Sequence, residues 1–120
     1  MIKQVIVIRK DLKMRRGKEI AQGSHASCAF LAECATGKRP LSEVEAEWLS
    51  DHFTKVCLQV NSEEELLGVH AAAQSAGLRS SLITDAGKTE FGGVPTKTCL
   101  AIGPEYATKI DSVTGHLSLY

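Results

Sequence analysis

Three residues in the segment MRRGKEIAQGSHAS, namely Lys18, Gln22 and His25, follow one another at intervals of four and three. At about 100° per residue such side chains lie within roughly 60° of one another on a helix, so an ammonium, an amide and an imidazole share one stripe. An ammonium near a helix N-terminus, where free N–H groups also gather, suits a phosphate or a developing oxyanion, and Lys18 is the candidate for that task. Polar stripes are more often only the solvated face of a helix. Ile20, Cys28, Leu31 and Ala35 lie roughly opposite this one and predict that it faces away from the sheet. A second group follows the run LRSSLI: the carboxylate of Asp85, with hydroxyls at Thr89, Thr96 and Thr98. Active-site carboxylates in open α/β sheets commonly sit just past strand C-termini. Asp-Ala-Gly is equally an ordinary turn, in which the carboxylate binds backbone N–H groups. Gly92, Gly93 and Pro95 mark a loop with special backbone needs, suited to lying close to a ligand.

Lys and Arg together number 14 and so do Asp and Glu, but the charges are not mixed evenly. From Arg9 to Lys18 six basic residues stand against one acid, a local net charge of +5, and a local field of that kind steers anions although the whole chain is neutral. Lys13, Arg15 and Arg16 are the candidates for holding phosphates. Neither G-x-x-x-x-G-K-[ST] nor G-x-G-x-x-G occurs, which argues against nucleotide binding of the usual kinds. Three Phe, two Tyr and one Trp are too few for a base-stacking platform. His52, His70 and His116 have no ligand-like spacing and are expected in surface or structural roles. Cys28, Cys34, Cys57 and Cys99 form no C-x-x-C pair, so no zinc site, other metal site or redox motif is expected; free, mostly core thiols fit a reducing cytoplasm. No apolar run approaches the roughly 20 residues of a membrane span, and the N-terminus lacks the features of a secretory signal.

These residues need a scaffold, and the hydrophobic periodicity supplies one. Strands are predicted at Lys3–Arg9, Lys55–Val60, Leu78–Ile83 and Lys97–Ile102. Helices are predicted from Lys18 to about Ala35, stopped by Gly37 and Pro40; from a Ser42/Glu45 capping box through Leu49; from Ser62 to about Ala76; and from Pro104 to Gly115. Strands alternating with helices over 120 residues predict one α/β layered domain, 1–120, with a largely parallel sheet. The short link between the third and fourth strands permits one antiparallel pair.

The order of VIVIRKDLKMRRGKEIAQGSHAS, SLITDAGKTEF, TKTCLAIGPE and IDSVTGHLSLY resembles the peptidyl-tRNA hydrolase family of the archaeal and eukaryotic type, which also has bacterial members. The resemblance implies a three-layer α/β fold with a four-stranded mixed sheet and helices on both faces, often as a homodimer. It also implies hydrolysis, without metal or cofactor, of the ester between a peptide and the terminal ribose of tRNA. Through the matching motifs the implicated residues are Lys18, Gln22, His25, Asp85, Thr89 and Thr98. The segment from Asp85 to Thr98 is one residue longer than in archaeal and human members, which keeps Thr96 as the alternative to Thr98. Many relatives carry Arg at the position of Lys88. In this scheme Asp85 orients or deprotonates water, directly or through a threonine, while Lys18 neutralises the oxyanion or a phosphate. Gln22 and His25 position the ester, and the Arg9–Arg16 turn holds acceptor-stem phosphates. Two other functions fit the same fold, a non-catalytic adaptor module and a hydrolase of a different acyl ester.

Overall fold

In a computed structural model describing residues 1–120, the N-terminal β-branched run forms strand β1 (Ile2–Arg9), which is covered on both sides. Val5 and Val7 point into one core layer, Ile6 and Ile8 into the other, as the two-residue side-chain period requires. Strand β2 (Lys55–Val60) pairs with β1 in parallel, β4 (Thr96–Tyr106) pairs with it antiparallel on the other side, and β3 (Ser80–Asp85) pairs antiparallel with β4. The sheet order is β2-β1-β4-β3. Helices α3 (Glu63–Ser75) and α4 (Ala107–Thr114) cover the face carrying Val5, Val7, Leu100 and Ile102. Helices α1 (Arg16–Ala35) and α2 (Glu43–Ser50) cover the other, where Phe30 of α1 meets Trp48 of α2 at 5.9 Å between ring centroids.

The three layers and the mixed four-stranded sheet agree with expectation, but the largely parallel pairing does not: only β1 and β2 run parallel. The segment from Ala86 to Pro95 carries no helix to serve as a crossover, so β3 must turn back into β4 as an antiparallel neighbour. β4 then enters between β3 and β1 and opposes both.

The start of the last helix also differs. β4 continues through Gly103 and Pro104 to Tyr106, and α4 begins only at Ala107. The ladder shifts register opposite this point, between Lys3 and Val5, and such irregularities are where a sheet tolerates proline. Gly103 holds φ +88°, and a Cβ there would stand 2.8 Å from the Glu105 nitrogen, so the residue is fixed by geometry.

The largest departure is the face that α1 buries. Gln22, Gly23, Ala26, Ser27 and Phe30 are turned inward, while Ile20 is 65% exposed and Cys28 also lies outside. The polar stripe therefore borders the sheet instead of facing away from it. Small residues make this possible. A Cβ added to Gly23 would lie 3.8 Å from the side chains of both Ile6 and Ile8, so the helix sits low on β1. Beside it, buried Gln4 donates from Nε2 to the Ser27 carbonyl (3.0 Å) and accepts the Ser27 hydroxyl on Oε1 (2.5 Å), a reciprocal polar clamp whose partners are both satisfied. The capping box of α2 forms as expected, with Ser42 and Glu45 each bonding the other's backbone nitrogen. No helix is long and apolar enough to cross a membrane. Of the four cysteines, all free, only Cys99 is fully buried.

Candidate active site

Lys18 stands in the first turn of α1, and Asp85 ends β3. Their side chains meet across the gap between helix and sheet, Nζ to Oδ1 at 2.9 Å, each with 14% of its surface exposed. Lys18 donates a second hydrogen bond to Thr89 Oγ1 at 2.8 Å, and its Nζ lies 5.9 Å from the centre of the Phe91 ring. An ammonium has three N–H groups, so one remains uncommitted. Gln22, one turn along, donates from Nε2 to the same Asp85 oxygen at 3.3 Å. The other carboxylate oxygen accepts the Gly87 N–H at 2.9 Å. Asp85 is thus both a turn residue and a cleft residue.

The pairing of β3 with β4 decides which threonine joins this cluster. Ile83 faces Cys99 and Thr84 faces Lys97, so Thr98 is an extra residue in the ladder. A bulge re-aims side chains, and here two consecutive residues reach the same glutamine of α1. Thr98, fully buried, donates to Gln22 Oε1 at 2.5 Å, and the Cys99 thiol donates to the Gln22 carbonyl at 3.2 Å. With Oε1 held by Thr98, the amide NH₂ of Gln22 is directed at Asp85. Thr96 pairs with Asp85 in the ladder, but its hydroxyl turns back to the Val94 carbonyl at 2.8 Å.

The family model for the peptidyl-tRNA hydrolase PTH2 matches residues 2–120. The chain belongs to the PTH2 family. It is 47% identical to a peptidyl-tRNA hydrolase of Methanocaldococcus jannaschii over 119 residues, covering 98% of this chain and 99% of the relative. To that of Methanopyrus kandleri it is 46% identical, with coverages of 99% and 98%. Among solved structures, a protein of unknown function from Agrobacterium tumefaciens superposes with a TM-score of 0.63 at 12% identity, covering 99% of this chain and 97% of that one; this likeness shows the fold alone.

The remaining residues singled out from the sequence are dispersed around the cleft. His25 is exposed, one turn beyond Gln22, on a groove shared with Asp85. Arg15 extends into solvent, 84% exposed, with Nε 3.4 Å from Glu90. Arg16 lies on the opposite flank of α1, beside Ile20, Phe53 and Tyr120. Lys13 is an exposed cation at a left-handed backbone position (φ +50°) that closes a 3₁₀ turn, Lys10–Leu12. Arg9 is engaged elsewhere, bonding both oxygens of Asp11, the acid already counted in the +5, and the Lys97 carbonyl. His70 bonds Ser80 at 2.7 Å, a structural partnership. The Gly87 amide and the Phe91 ring were not among the sequence candidates. The Asp-Ala-Gly turn signal points to the first, and nothing local points to the second.

The hydrogen bond from Lys18 holds the Asp85 carboxyl below the ordinary aspartate range, assisted by the Gly87 amide and by the charges of Lys18 and His25, against a smaller opposing effect of burial. A carboxylate so stabilised is a weak proton acceptor. The arrangement therefore favours Asp85 as an acceptor that orients a water molecule, with Lys18 as the electrophilic group. Because Thr98 acts through Gln22, Thr98→Val is expected to lower kcat/KM about tenfold, with Thr98→Ser retaining most activity; Thr96→Val stays within about twofold of the parent. Steady-state hydrolysis measured beside melting temperatures checks this, and equal losses at the two positions contradict the bulge argument.

Proposed function

We propose that the protein hydrolyses the ester linking a peptide to the terminal ribose of tRNA, recycling tRNA during translation, with the Lys18–Asp85 cleft as its active site. The observation that carries the assignment is a cleft with one free cationic donor and one ionised acceptor on opposing walls, in a chain of the peptidyl-tRNA hydrolase family. Ester hydrolysis needs a positioned water and a stabilised tetrahedral oxyanion. Asp85 orients the water, and the unused N–H of Lys18 meets the oxyanion. Gln22 and Thr89 hold these two charges in place, Thr98 fixes Gln22, and His25 contacts the acyl ester. The water attacks the ester directly, without a covalent intermediate, and no metal enters the scheme, because a partly buried ammonium beside Asp85 opposes a second cation there.

Exposed Lys13 and Arg15 hold acceptor-stem phosphates beyond the N-terminus of α1, giving affinity without base choice, whereas Arg16 lines the groove on the other flank of the helix. Residues 1–120 act as one hydrolase domain in the cytoplasm, where four free cysteines stay reduced. On the flank of α1 away from the cleft, exposed Ile20, Phe53 and Tyr120 rim an apolar groove of about 440 Å³, and a second copy of the chain covers it. Light scattering then gives twice the chain mass, and Ile20→Glu returns it to one.

Two experiments test the assignment. Lys18→Ala and Asp85→Ala are each expected to lower kcat/KM on N-blocked aminoacyl-tRNA by about 10²-fold or more at unchanged fold, and excess EDTA leaves the rate on a CCA-trinucleotide ester intact. Near-parental turnover in either variant contradicts the roles assigned to Lys18 and Asp85. Affinity for tRNA falls steeply with salt, and replacing Lys13 and Arg15 by Ala makes the log–log slope shallower by about one unit for each phosphate no longer held. An unchanged slope places the tRNA elsewhere.

A further inference from the structure

Beyond Gln22 and His25 a groove of about 790 Å³ continues along α1 to Ala29 and Ala32, with β3 as its other wall. Three features define what it accepts. First, Leu82, Ile83, Thr84 and Asp85 all line it. Successive side chains of a strand point to opposite faces, so four consecutive residues can line one groove only where it meets the edge of the strand. That edge is open, because β3 is the last strand of the sheet and pairs only with β4. Its outward N–H and C=O groups form a row of unpaired donors and acceptors. Second, beyond Gln22 and His25 the helical wall is made of Cys28, Ala29 and Ala32, whose small side chains leave space for whatever lies opposite. Third, the cleft divides α1 by charge: Lys13, Arg15, Arg16 and Lys18 lie at its N-terminal side, and no Lys or Arg occurs from Glu19 through Ala35. The polyanionic part of a substrate belongs on the first side and a neutral part on the second.

We propose that this groove is the subsite for the peptide of the substrate, which adds in extended form as a fifth strand along the outer edge of β3. The inference rests on the hydrolase function above and fixes how its acyl group is held. Peptides awaiting release differ in every side chain and share only their main-chain amides. Strand addition reads those amides, whereas a side-chain pocket would restrict the substrates. The direction follows from the site. The ester carbonyl is the C-terminal end of the peptide and lies beside Asp85, so the chain runs back toward Leu82 and Ala32 and is parallel to β3. From Gln22 to Ala32 the helix rises about 15 Å, the span of roughly four extended residues. In a parallel ladder only alternate residues of the added strand turn their N–H and C=O toward the neighbour. An unblocked aminoacyl ester has no amide to offer.

The test uses a CCA-ended RNA minihelix acylated with N-acetyl-alanine or with acetylated peptides of two, three, four or six alanines. Expected is a rise in kcat/KM of about tenfold or more from one residue to three or four, then a plateau. In the four-residue substrate, single N-methylation costs about tenfold at alternate positions and less than about threefold at those between them. Ala32→Trp, on the exposed far part of the groove, lowers the ratio of four-residue to one-residue kcat/KM toward unity, and the N-methyl series gives a readout independent of any variant's folding. Rates independent of peptide length, or equal costs at every N-methyl position, overturn the subsite while leaving the hydrolase function in place, and assign the groove to the 3′ nucleotides instead. No turnover of any member of the series overturns the function and the subsite together.

Discussion

The contact between Lys18 and Asp85 is the point on which the rest of the site depends, because it joins a helix to the end of an edge strand 67 residues away in sequence. Both side chains are largely withdrawn from water, and for such pairs the cost of desolvation offsets much of the Coulomb attraction. Its significance lies in position more than in stability. The two charges are held at hydrogen-bond distance with one ammonium N–H uncommitted, and the carboxylate is anchored further by Gln22 on the oxygen that Lys18 binds and by Gly87 on the other. Charges fixed in this way need little reorganisation as charge develops on a reacting ester.

The surrounding fold can be understood as what brings those two groups together. Gly23 lets α1 descend onto β1, and the Gln4–Ser27 clamp fixes its position along the strand. The extra residue in β4 turns Thr98 toward α1, where it orients the Gln22 amide. Gly87, at φ +81°, packs so closely that a Cβ would fall 2.2 Å from the Val94 carbonyl oxygen, and this tight loop presents the amide that holds Asp85. Packing, register and loop chemistry thus converge on two side chains. The same geometry leaves the outer edge of β3 open beside them.

Much of this is legible in the sequence. The β-branched runs mark β1 and β2, capping signals mark α2 and α3, and the four-then-three spacing with the strand-end carboxylate isolates Lys18, Gln22, His25 and Asp85. The orientation of α1 is not legible, because apart from Phe30 its inward face consists of Gln22, Gly23, Ala26 and Ser27, residues that hydropathy does not mark strongly as core, while apolar Ile20 lies outside. Strand direction escapes a local reading because the insertion of β4 between β1 and β3 is a long-range matter. The choice between Thr96 and Thr98 turns on a bulge, which exists only once two strands are paired. Pro104 suggests a helix start by its local preference, yet it ends up buried within β4, where tertiary pairing prevails.

The central claim is that Lys18 and Asp85 work as one unit, and a double-mutant cycle on peptidyl-ester hydrolysis tests it most directly. If the two charges act together, the Lys18→Ala/Asp85→Ala protein is no slower than the worse single variant to within about threefold, since removing either partner already disables the pair. If the two losses in kcat/KM instead multiply, the residues contribute independently, and the account of the cleft as a coupled charge pair is wrong.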